Sequence, residues 1–195
     1  MAMFIAFEGL DRAGKTTQCA RLVSELEKME QRVMACAFPD RDGQLYPMIG
    51  AYLKGEAKVE PRAMHLLFAA DRWAKDGAIR KALRDGVVVT DRYRMSGAAY
   101  SVAMGLDEEW CRRADDELCP PTLTIYISIS PETASRRAGF GEDIHDNLAF
   151  QRKVHAAYMN LMAHESNVVV IDGNDTEEKV HASVMKAVRG AMGLE

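Results

Sequence analysis

The sequence predicts a three-layer α/β fold, in which a five-stranded parallel sheet lies between two layers of helices. Five short runs of apolar and β-branched residues are typical of buried strands, at residues 3–7, 33–38, 87–90, 123–129 and 168–171. Helical patterns separate these runs, and such alternation indicates a parallel sheet that is covered on both faces. No repeat or linker interrupts the pattern, so we expect a single domain over residues 1–195.

The helices are predicted from apolar residues that recur every three or four positions. One lies after the first strand and carries Cys19, Leu22, Val23, Leu26 and Met29, and another precedes the last strand with Phe150, Val154, Ala157 and Leu161. A long helix begins after Pro61, and its expected core face is the apolar stripe Ala63, Leu66, Leu67, Ala70 and Ala74.

Phe68 lies on the opposite side of this long helix, together with His65 and Arg72. Because Arg72 follows Phe68 by four residues, the two side chains can act together on one ligand. A ring beside an arginine suggests a planar ligand. The alternative, that Phe68 packs beneath a neighbouring loop, stays open.

The composition limits the possible partners and the compartment. Hydrophobic residues make up 48% of the chain, which argues against disorder, and 25 Lys+Arg against 29 Asp+Glu give a net charge of −4. A general nucleic-acid binder usually has a basic surplus, so we expect no nucleic-acid partner and only a local arginine cluster.

The cysteines and the hydropathy point to the cytoplasm. Cys19, Cys36, Cys111 and Cys119 form no C-x-x-C pair, which favours reduced thiols. The N-terminus lacks the basic flank and the cleavage-like segment of a signal peptide. No apolar run approaches the roughly 20 residues of a membrane span, so we expect no membrane partner.

Residues 9–16, with the sequence GLDRAGKT, fit the phosphate-binding pattern G-x-x-x-x-G-K-[ST] between a strand and a helix. In such a loop the glycines let backbone N–H groups surround phosphates, Lys15 reaches the transferred phosphate and Thr16 offers a hydroxyl to Mg²⁺. The alternative is a chance match in a glycine-containing loop, but the strand–loop–helix context favours the phosphate site.

Charged residues follow the ends of two further strands. Asp91 is a candidate for the magnesium shell, although it could instead only cap the next helix. Arg41 and Arg92 should lie at the same sheet edge as Arg12 and form a cationic pocket for a second phosphorylated molecule. Taken singly, each arginine would more often be a solvated surface charge.

Four segments in this order resemble the thymidylate kinase family: residues 7–18 (FEGLDRAGKTTQ), 38–41 (FPDR), 66–73 (LLFAADRW) and 91–93 (DRY), the last followed by Ser96 and Gly97. The resemblance spans nearly the whole chain. It implies phosphorylation of dTMP to dTDP by Mg-ATP, for dTTP biosynthesis, on a sheet of the nucleoside monophosphate kinase type. It also implies a homodimer.

The resemblance assigns site residues by position. Catalytic roles fall to Arg12, Lys15, Asp91 and Arg92; ATP binding to Gly9, Ala13, Gly14, Lys15, Thr16, Thr17 and Arg137; dTMP binding to Asp11, Phe38, Arg41, Phe68, Arg72, Arg92, Gly97, Tyr100 and Gln151; and Mg²⁺ binding to Thr16 and Asp91. In this reading Phe68 stacks on thymine and Arg72 contacts its O4. Asp11 approaches the sugar 3′-hydroxyl, and Tyr100 stands where a ribose 2′-hydroxyl would intrude.

The lid is expected at about residues 136–147 and turns acidic after Arg136 and Arg137. This resembles the subtype whose catalytic arginine lies in the phosphate loop, with Gly139 and Gly141 giving the lid its freedom. His145 stands where relatives often carry a tyrosine beside the sugar. It is either a pH-sensitive ligand contact or a solvated loop residue, and we favour the second interpretation.

Two other functions remain open at this stage. A deoxynucleoside kinase of the same fold would phosphorylate thymidine and would need a carboxylate base, for which Asp40 is the candidate. A GTPase-like switch would need an N-K-x-D or T-K-x-D motif, which the sequence lacks.

Overall fold

The computed structural model describes residues 2–137 and 144–194, and within them it confirms the predicted five-stranded parallel sheet. The strands are β1 (Met3–Glu8), β2 (Val33–Ala37), β3 (Val87–Asp91), β4 (Leu123–Ser128) and β5 (Val168–Asp172). Their order across the sheet is β2-β3-β1-β4-β5, and every pairing is parallel. Each strand starts at the predicted residue and ends within one residue of the predicted end.

Helices connect the strands and cover both faces of the sheet. Their bounds are α1 (Lys15–Lys28), α2 (Tyr46–Leu53), α3 (Pro61–Ala82), α4 (Arg94–Ala103), α5 (Glu108–Arg113), α6 (Pro131–Ser135), α7 (Leu148–Met162) and α8 (Glu177–Met192). Of the predicted lid, residues 138–143 lie outside the described residues, and Gly139 and Gly141 are among them. In the part of the chain that is described, no helix is both long and apolar enough to cross a membrane.

One face of the sheet forms the main apolar core. Ile5 and Phe7 of β1 are fully buried there, together with Leu22 of α1 and Val184 of α8. Alternate residues along a strand point to opposite faces, so Phe4, Ala6 and Glu8 belong to the other side. On that side α3, α4, α5 and α7 pack over the sheet.

Glu8 fastens α4 to the end of β1. Its carboxylate is 1% exposed and accepts hydrogen bonds from Tyr93 N (3.0 Å), Ser96 N (3.1 Å) and the Tyr158 hydroxyl (3.0 Å), as well as from the Ser96 hydroxyl. A carboxylate is well matched to the N-terminus of a helix, where backbone N–H groups lack partners. This contact sets α4, and with it the residues just before it, against the phosphate loop.

The predicted core face of α3 is wrong. Leu66 is 50% exposed, Ala63, Ala70 and Ala74 are exposed, and Leu67 is only partly buried. The buried side of α3 instead carries His65, Asp71 and Arg72 beside Met64 and Ala69. An apolar periodicity cannot anticipate this outcome, because it counts apolar residues and not polar residues that find buried partners.

His65 shows why the polar side of α3 can be buried. Its Nδ1 lies 2.7 Å from Ser101 Oγ on α4, and its Nε2 lies 3.0 Å from the carbonyl oxygen of Cys111 on α5. Both ring nitrogens are therefore satisfied, which removes most of the penalty for burying a polar group. Phe68 and Arg72 share the inner side of α3 with this histidine, not an outer side.

Candidate active site

A cleft of about 560 Å³ opens at the carboxyl ends of the central strands β1 and β3 and of β2. Open parallel sheets bind ligands at this edge. Twelve of the predicted site residues line it: Asp11, Arg12, Lys15, Thr16, Phe38, Arg41, Phe68, Arg72, Asp91, Arg92, Gly97 and Tyr100. The structure thus brings both halves of the predicted site, the phosphate end and the base end, into one cavity.

The phosphate loop joins β1 to α1, and two glycines shape it. Gly9 has φ +138°, and a Cβ there would stand 2.6 Å from the carbonyl oxygen of Ile127. Gly14 has φ +96° and is the N-cap of α1, without any side chain capping the helix. The first N–H groups of α1 therefore have no side-chain cap, as an anion site requires. Ala13 is buried in this loop, and Thr17 is exposed on the first turn of α1.

Lys15 is 5% exposed, and its Nζ donates a hydrogen bond of 2.6 Å to the carbonyl oxygen of Leu10. Burial and the positive charge of Arg92 together lower the pKa of this ammonium group to about 8, against the opposing effect of Asp11, Asp91 and Glu8. In the described part of the chain this ammonium group has one hydrogen-bond acceptor, and that acceptor is uncharged. The ammonium group is well suited to bind an incoming phosphate.

Thr16 and Asp91 meet as the sequence predicts for a magnesium shell. The hydroxyl of Thr16 donates to Asp91 Oδ2 at 2.5 Å. The other carboxylate oxygen, Oδ1, is buried and has no hydrogen-bond partner among the described residues. An unsatisfied buried carboxylate oxygen beside a phosphate loop fits Mg²⁺ or one of its water ligands.

Asp11 accepts hydrogen bonds from three other predicted site residues. Its Oδ1 accepts a hydrogen bond from Arg92 Nη2, and its Oδ2 accepts from the Tyr100 hydroxyl (2.5 Å) and from Gln151 Nε2 (3.2 Å). Partial burial by itself would raise the pKa of Asp11, but Arg92, Lys15 and these hydrogen bonds outweigh it and lower the pKa to about 2. Gln151, predicted as a ligand contact, is fully buried behind Asp11 and does not line the cleft.

Arg92 is held from several sides. Its Nη1 donates to the carbonyl oxygen of Gly9 (3.2 Å) and to Ser96 Oγ (3.1 Å), while Nη2 binds Asp11. Its backbone has φ +68°, a left-handed conformation that is uncommon outside glycine and concentrates at functional sites. The guanidinium group is therefore fixed at the end of β3 with its face toward the ring of Tyr100, 5.3 Å from the centroid.

Arg12 is bound by the two sides of the predicted lid. Its Nη2 lies 2.9 Å from Asp146 Oδ2, and its carbonyl oxygen accepts a hydrogen bond of 2.7 Å from Arg137 Nη1. Arg137 also donates to the carbonyl oxygen of Gly173 (2.7 Å), and so it joins the phosphate loop to the turn after β5. Arg137 is not among the residues that line the cleft.

The part of the cleft that is predicted to bind the base is formed by α3 and α4. Phe68 is partly buried, and Arg72 lies one turn further along α3 with its guanidinium group against Gly97 of α4. Phe38 is buried at the end of β2, whereas Arg41 is exposed at the rim.

The interpretation of His145 as a solvated loop residue is wrong. The residue is 8% exposed, and its ring stacks on Phe150 with centroids 4.7 Å apart and an interplanar angle of 19°. It also contacts the rings of Tyr100 (5.7 Å) and Tyr52 (5.8 Å), and it lines the cleft. Burial lowers its pKa. The apolar neighbours that bury it come from α2, α4 and α7, so no local pattern could reveal them.

Sequence reasoning also missed three residues that shape the site. Glu8 is visible only as a charge at the end of a buried strand, and Asp146 only as part of an acidic loop. Asp115, which binds Arg72, carries no local signal at all because its partner lies 43 residues away.

The phosphate loop, the cationic cleft and the parallel sheet define the chain as a P-loop phosphotransferase of the nucleoside monophosphate kinase class. A family model for thymidylate kinase matches residues 7–184. The chain is 38% identical over 185 residues to thymidylate kinase of Arabidopsis thaliana, which covers 94% of this chain and 70% of that protein. It therefore belongs to the thymidylate kinase family.

Further comparisons agree. Plasmodium falciparum thymidylate kinase is 37% identical over 187 residues, covering 95% of this chain and 89% of that protein, and the human enzyme is 33% identical over 183 residues, covering 92% and 86%. A solved structure of thymidylate kinase from Candida albicans superimposes with a TM-score of 0.86 at 26% identity and covers 100% of this chain and 94% of the other.

Replacing the buried lysine tests the account of its charge. Below pH 8 Lys15 is protonated in the folded and unfolded states, so only the folded state bears the cost of burial. We expect Lys15→Met to lower turnover by about 10²–10³-fold or more. The same change should raise the free energy of unfolding at pH 7 by about 1–3 kcal/mol in the absence of nucleotide.

The pH dependence follows from the same shift. Between pH 8 and the ordinary lysine pKa near 10.5, the folded wild type loses the proton first and regains stability, so the advantage of the variant should shrink there. Urea unfolding at pH 7 and 9.5 measures this, and Lys186→Met, at an exposed position of α8, serves as the control. A variant that is less stable than wild type at pH 7 would contradict the account.

Proposed function

We infer that this enzyme transfers the γ-phosphoryl group of ATP to the phosphate of dTMP and so forms dTDP for dTTP synthesis. Membership of the thymidylate kinase family carries this inference. The cleft supports it, because the phosphate-loop lysine and the phosphate-loop arginine share one cavity with Arg92 and with the pair of Phe68 and Arg72. Lys15 and Arg12 form one cationic centre, and Arg92 forms a second. Two such centres in one cavity suit a reaction that brings two phosphorylated molecules together.

The residue proposed as the base of a deoxynucleoside kinase is engaged outside the cleft. Asp40, the candidate, binds Lys75 Nζ at 2.7 Å, and its backbone N–H donates to Asp71 Oδ2 at 2.9 Å. Asp40 is not among the residues that line the cleft. A phosphate acceptor needs no such base, because the second pKa of a phosphate monoester is about 6 and its oxygen is already ionised at neutral pH.

The reaction then depends on positioning and charge. An acceptor phosphate oxygen attacks the γ-phosphorus of ATP, the bond from that phosphorus to the bridging oxygen breaks, and ADP leaves with the bond's electron pair. Lys15 and Arg12 neutralise the transferred group, and Arg92, with Arg41 at the rim, holds the acceptor phosphate. The backbone N–H groups of Gly9, Ala13, Gly14, Thr16 and Thr17 surround the ATP phosphates, and Arg137 supports them from the side of the adenine site.

Mg²⁺ accompanies ATP in this proposal. Thr16 and Asp91 hold it, and the unsatisfied Oδ1 of Asp91 supports the assignment. The ion supplies neutralisation of charge on the phosphates of ATP.

The base end selects the nucleotide. Phe68 stacks on thymine and Arg72 donates to its O4, with Phe38 and Gly97 closing the pocket around them. Asp11 binds the sugar 3′-hydroxyl, and Gln151 holds Asp11 in place by its hydrogen bond. Tyr100 occupies the position that a ribose 2′-hydroxyl would take.

The exposed apolar face of α3 supports a homodimer. Leu66 is 50% exposed and Trp73 40%, on the side that also exposes Ala63, Ala70 and Ala74. Such a contiguous apolar patch is typical of an interface between subunits.

Sedimentation tests this interface. We expect Leu66→Glu to shift the enzyme toward the monomer, whereas Met159→Glu, at an exposed position of α7, serves as the control and should not. A wild-type chain that sediments only as a monomer would exclude the dimer.

The cytoplasm remains the proposed compartment, and the four unpaired cysteines are compatible with it.

The function is tested by ADP release over a panel of nucleosides and nucleoside monophosphates with Mg-ATP. We expect kcat/KM to be highest for dTMP and to be lost when Mg²⁺ is removed. Preference for thymidine over dTMP would overturn the proposed acceptor.

The stacking role of Phe68 is tested in the same assay. Base stacking on an aromatic ring contributes about 1–3 kcal/mol, so Phe68→Ala should raise KM for dTMP by about 5–150-fold. Phe68→Tyr should restore most of the affinity, and KM for ATP should stay within about twofold in both variants. Unchanged dTMP kinetics in Phe68→Ala would remove the assignment.

A further inference from the structure

Asp115 lies outside the cleft, in the turn that follows α5, yet it binds a side chain of the cleft. Arg72 Nε donates to Asp115 Oδ1 at 3.0 Å, and Arg72 Nη2 donates to Asp115 Oδ2 at 2.7 Å. The two side chains are 3% and 4% exposed. A bidentate pair of this kind fixes the plane of the guanidinium group as well as its position.

Gly97 closes the other approach to the same guanidinium group. A Cβ at position 97 would stand 2.6 Å from both Nη1 and Nη2 of Arg72 and 2.8 Å from Cζ. The guanidinium group therefore occupies the space that a side chain on α4 would take. Asp115 uses Nε and Nη2, so Nη1 is the nitrogen that this ion pair does not engage.

We propose that Asp115 is a positioning residue that sets which donor of Arg72 faces the nucleobase and so makes the enzyme select a base with a carbonyl oxygen at position 4. The proposal rests on the proposed function, in which Phe68 and Arg72 bind the base. Phe68 lies one turn from Arg72 on α3, and both line the cleft.

The chemistry of arginine gives the selection its direction. A guanidinium group donates hydrogen bonds and accepts none, so it binds a carbonyl oxygen and is mismatched with an amino group at the same place. Discrimination of this kind needs a donor with a fixed direction, since a guanidinium group that can turn would adapt to either base. Asp115, a residue with no contact to the base itself, provides that fixed direction.

The test compares dTMP with 5-methyl-dCMP, which keeps the methyl group and the sugar but carries an amino group at position 4. The readout is the ratio of kcat/KM for the two nucleotides. We expect Asp115→Asn to lower this ratio at least about tenfold, because one hydrogen bond whose donor has a fixed direction can discriminate a carbonyl oxygen from an amino group by that order. The loss should appear in KM for dTMP, while KM for ATP changes little.

Asp116→Asn is the matched control. Asp116 is the next residue and is exposed, and its replacement by asparagine removes the same charge. We expect it to leave the ratio unchanged. A folded Asp115→Asn enzyme with the wild-type ratio would overturn the proposal. Should Asp115→Asn fail to fold, Asp115→Glu keeps the buried charge and displaces the guanidinium group by one methylene. It should lower the ratio at least about threefold, and an unchanged ratio would overturn the proposal equally.

The wild-type enzyme separates this proposal from the proposed function. A wild type that does not phosphorylate dTMP refutes the function itself. A wild type that prefers dTMP, together with variants of unchanged ratio, refutes only the role of Asp115.

Discussion

The ion pair between Asp11 and Arg92 is the interaction on which the rest of the site depends. An enzyme with a net charge of −4 has to concentrate positive charge where two nucleotides meet, and here Lys15 and Arg92 stand together in one cleft. Like charges in a partly buried place repel each other. Asp11 offsets that repulsion and, through Tyr100 and Gln151, connects the phosphate loop to α4 and α7. Removing its charge would leave both cations less well compensated, with Asp91 as a remaining nearby carboxylate at this edge of the sheet.

The buried charge of Lys15 lowers the stability of the folded enzyme but favours the binding of a phosphate. Among the described residues, the carbonyl oxygen of Leu10 is the hydrogen-bond partner of Lys15 Nζ, and burial lowers the pKa of this lysine. A group held in this way favours any ligand that brings negative charge, because the phosphate supplies the missing counter-charge. Glu8 and Asp115 act differently: each is fully engaged and fixes other residues, Glu8 at the start of α4 and Asp115 at Arg72.

The features that were predicted correctly from the sequence depend on short, local segments of the chain. The strands and the phosphate loop are each encoded within a few consecutive residues, and the meeting of Thr16 with Asp91 follows from a general property of parallel sheets. The errors concern long-range burial. The apolar stripe of α3 faces outward because the buried polar side finds partners on α4 and in the turn after α5. His145 is buried by rings from three helices. Periodicity and motif matching contain no information about such partners.

Measuring the pKa of Asp11 tests the central claim most directly. The carboxyl carbon of Asp11 can be followed by NMR in a pH titration of the nucleotide-free enzyme, with the signal assigned through Asp11→Asn. If Arg92 and Lys15 focus their charge on this carboxylate, Asp11 should stay ionised at pH 3 and titrate at about 2. A midpoint at or above the ordinary value of 3.8 would contradict the account, because the cations would then not be compensated by Asp11.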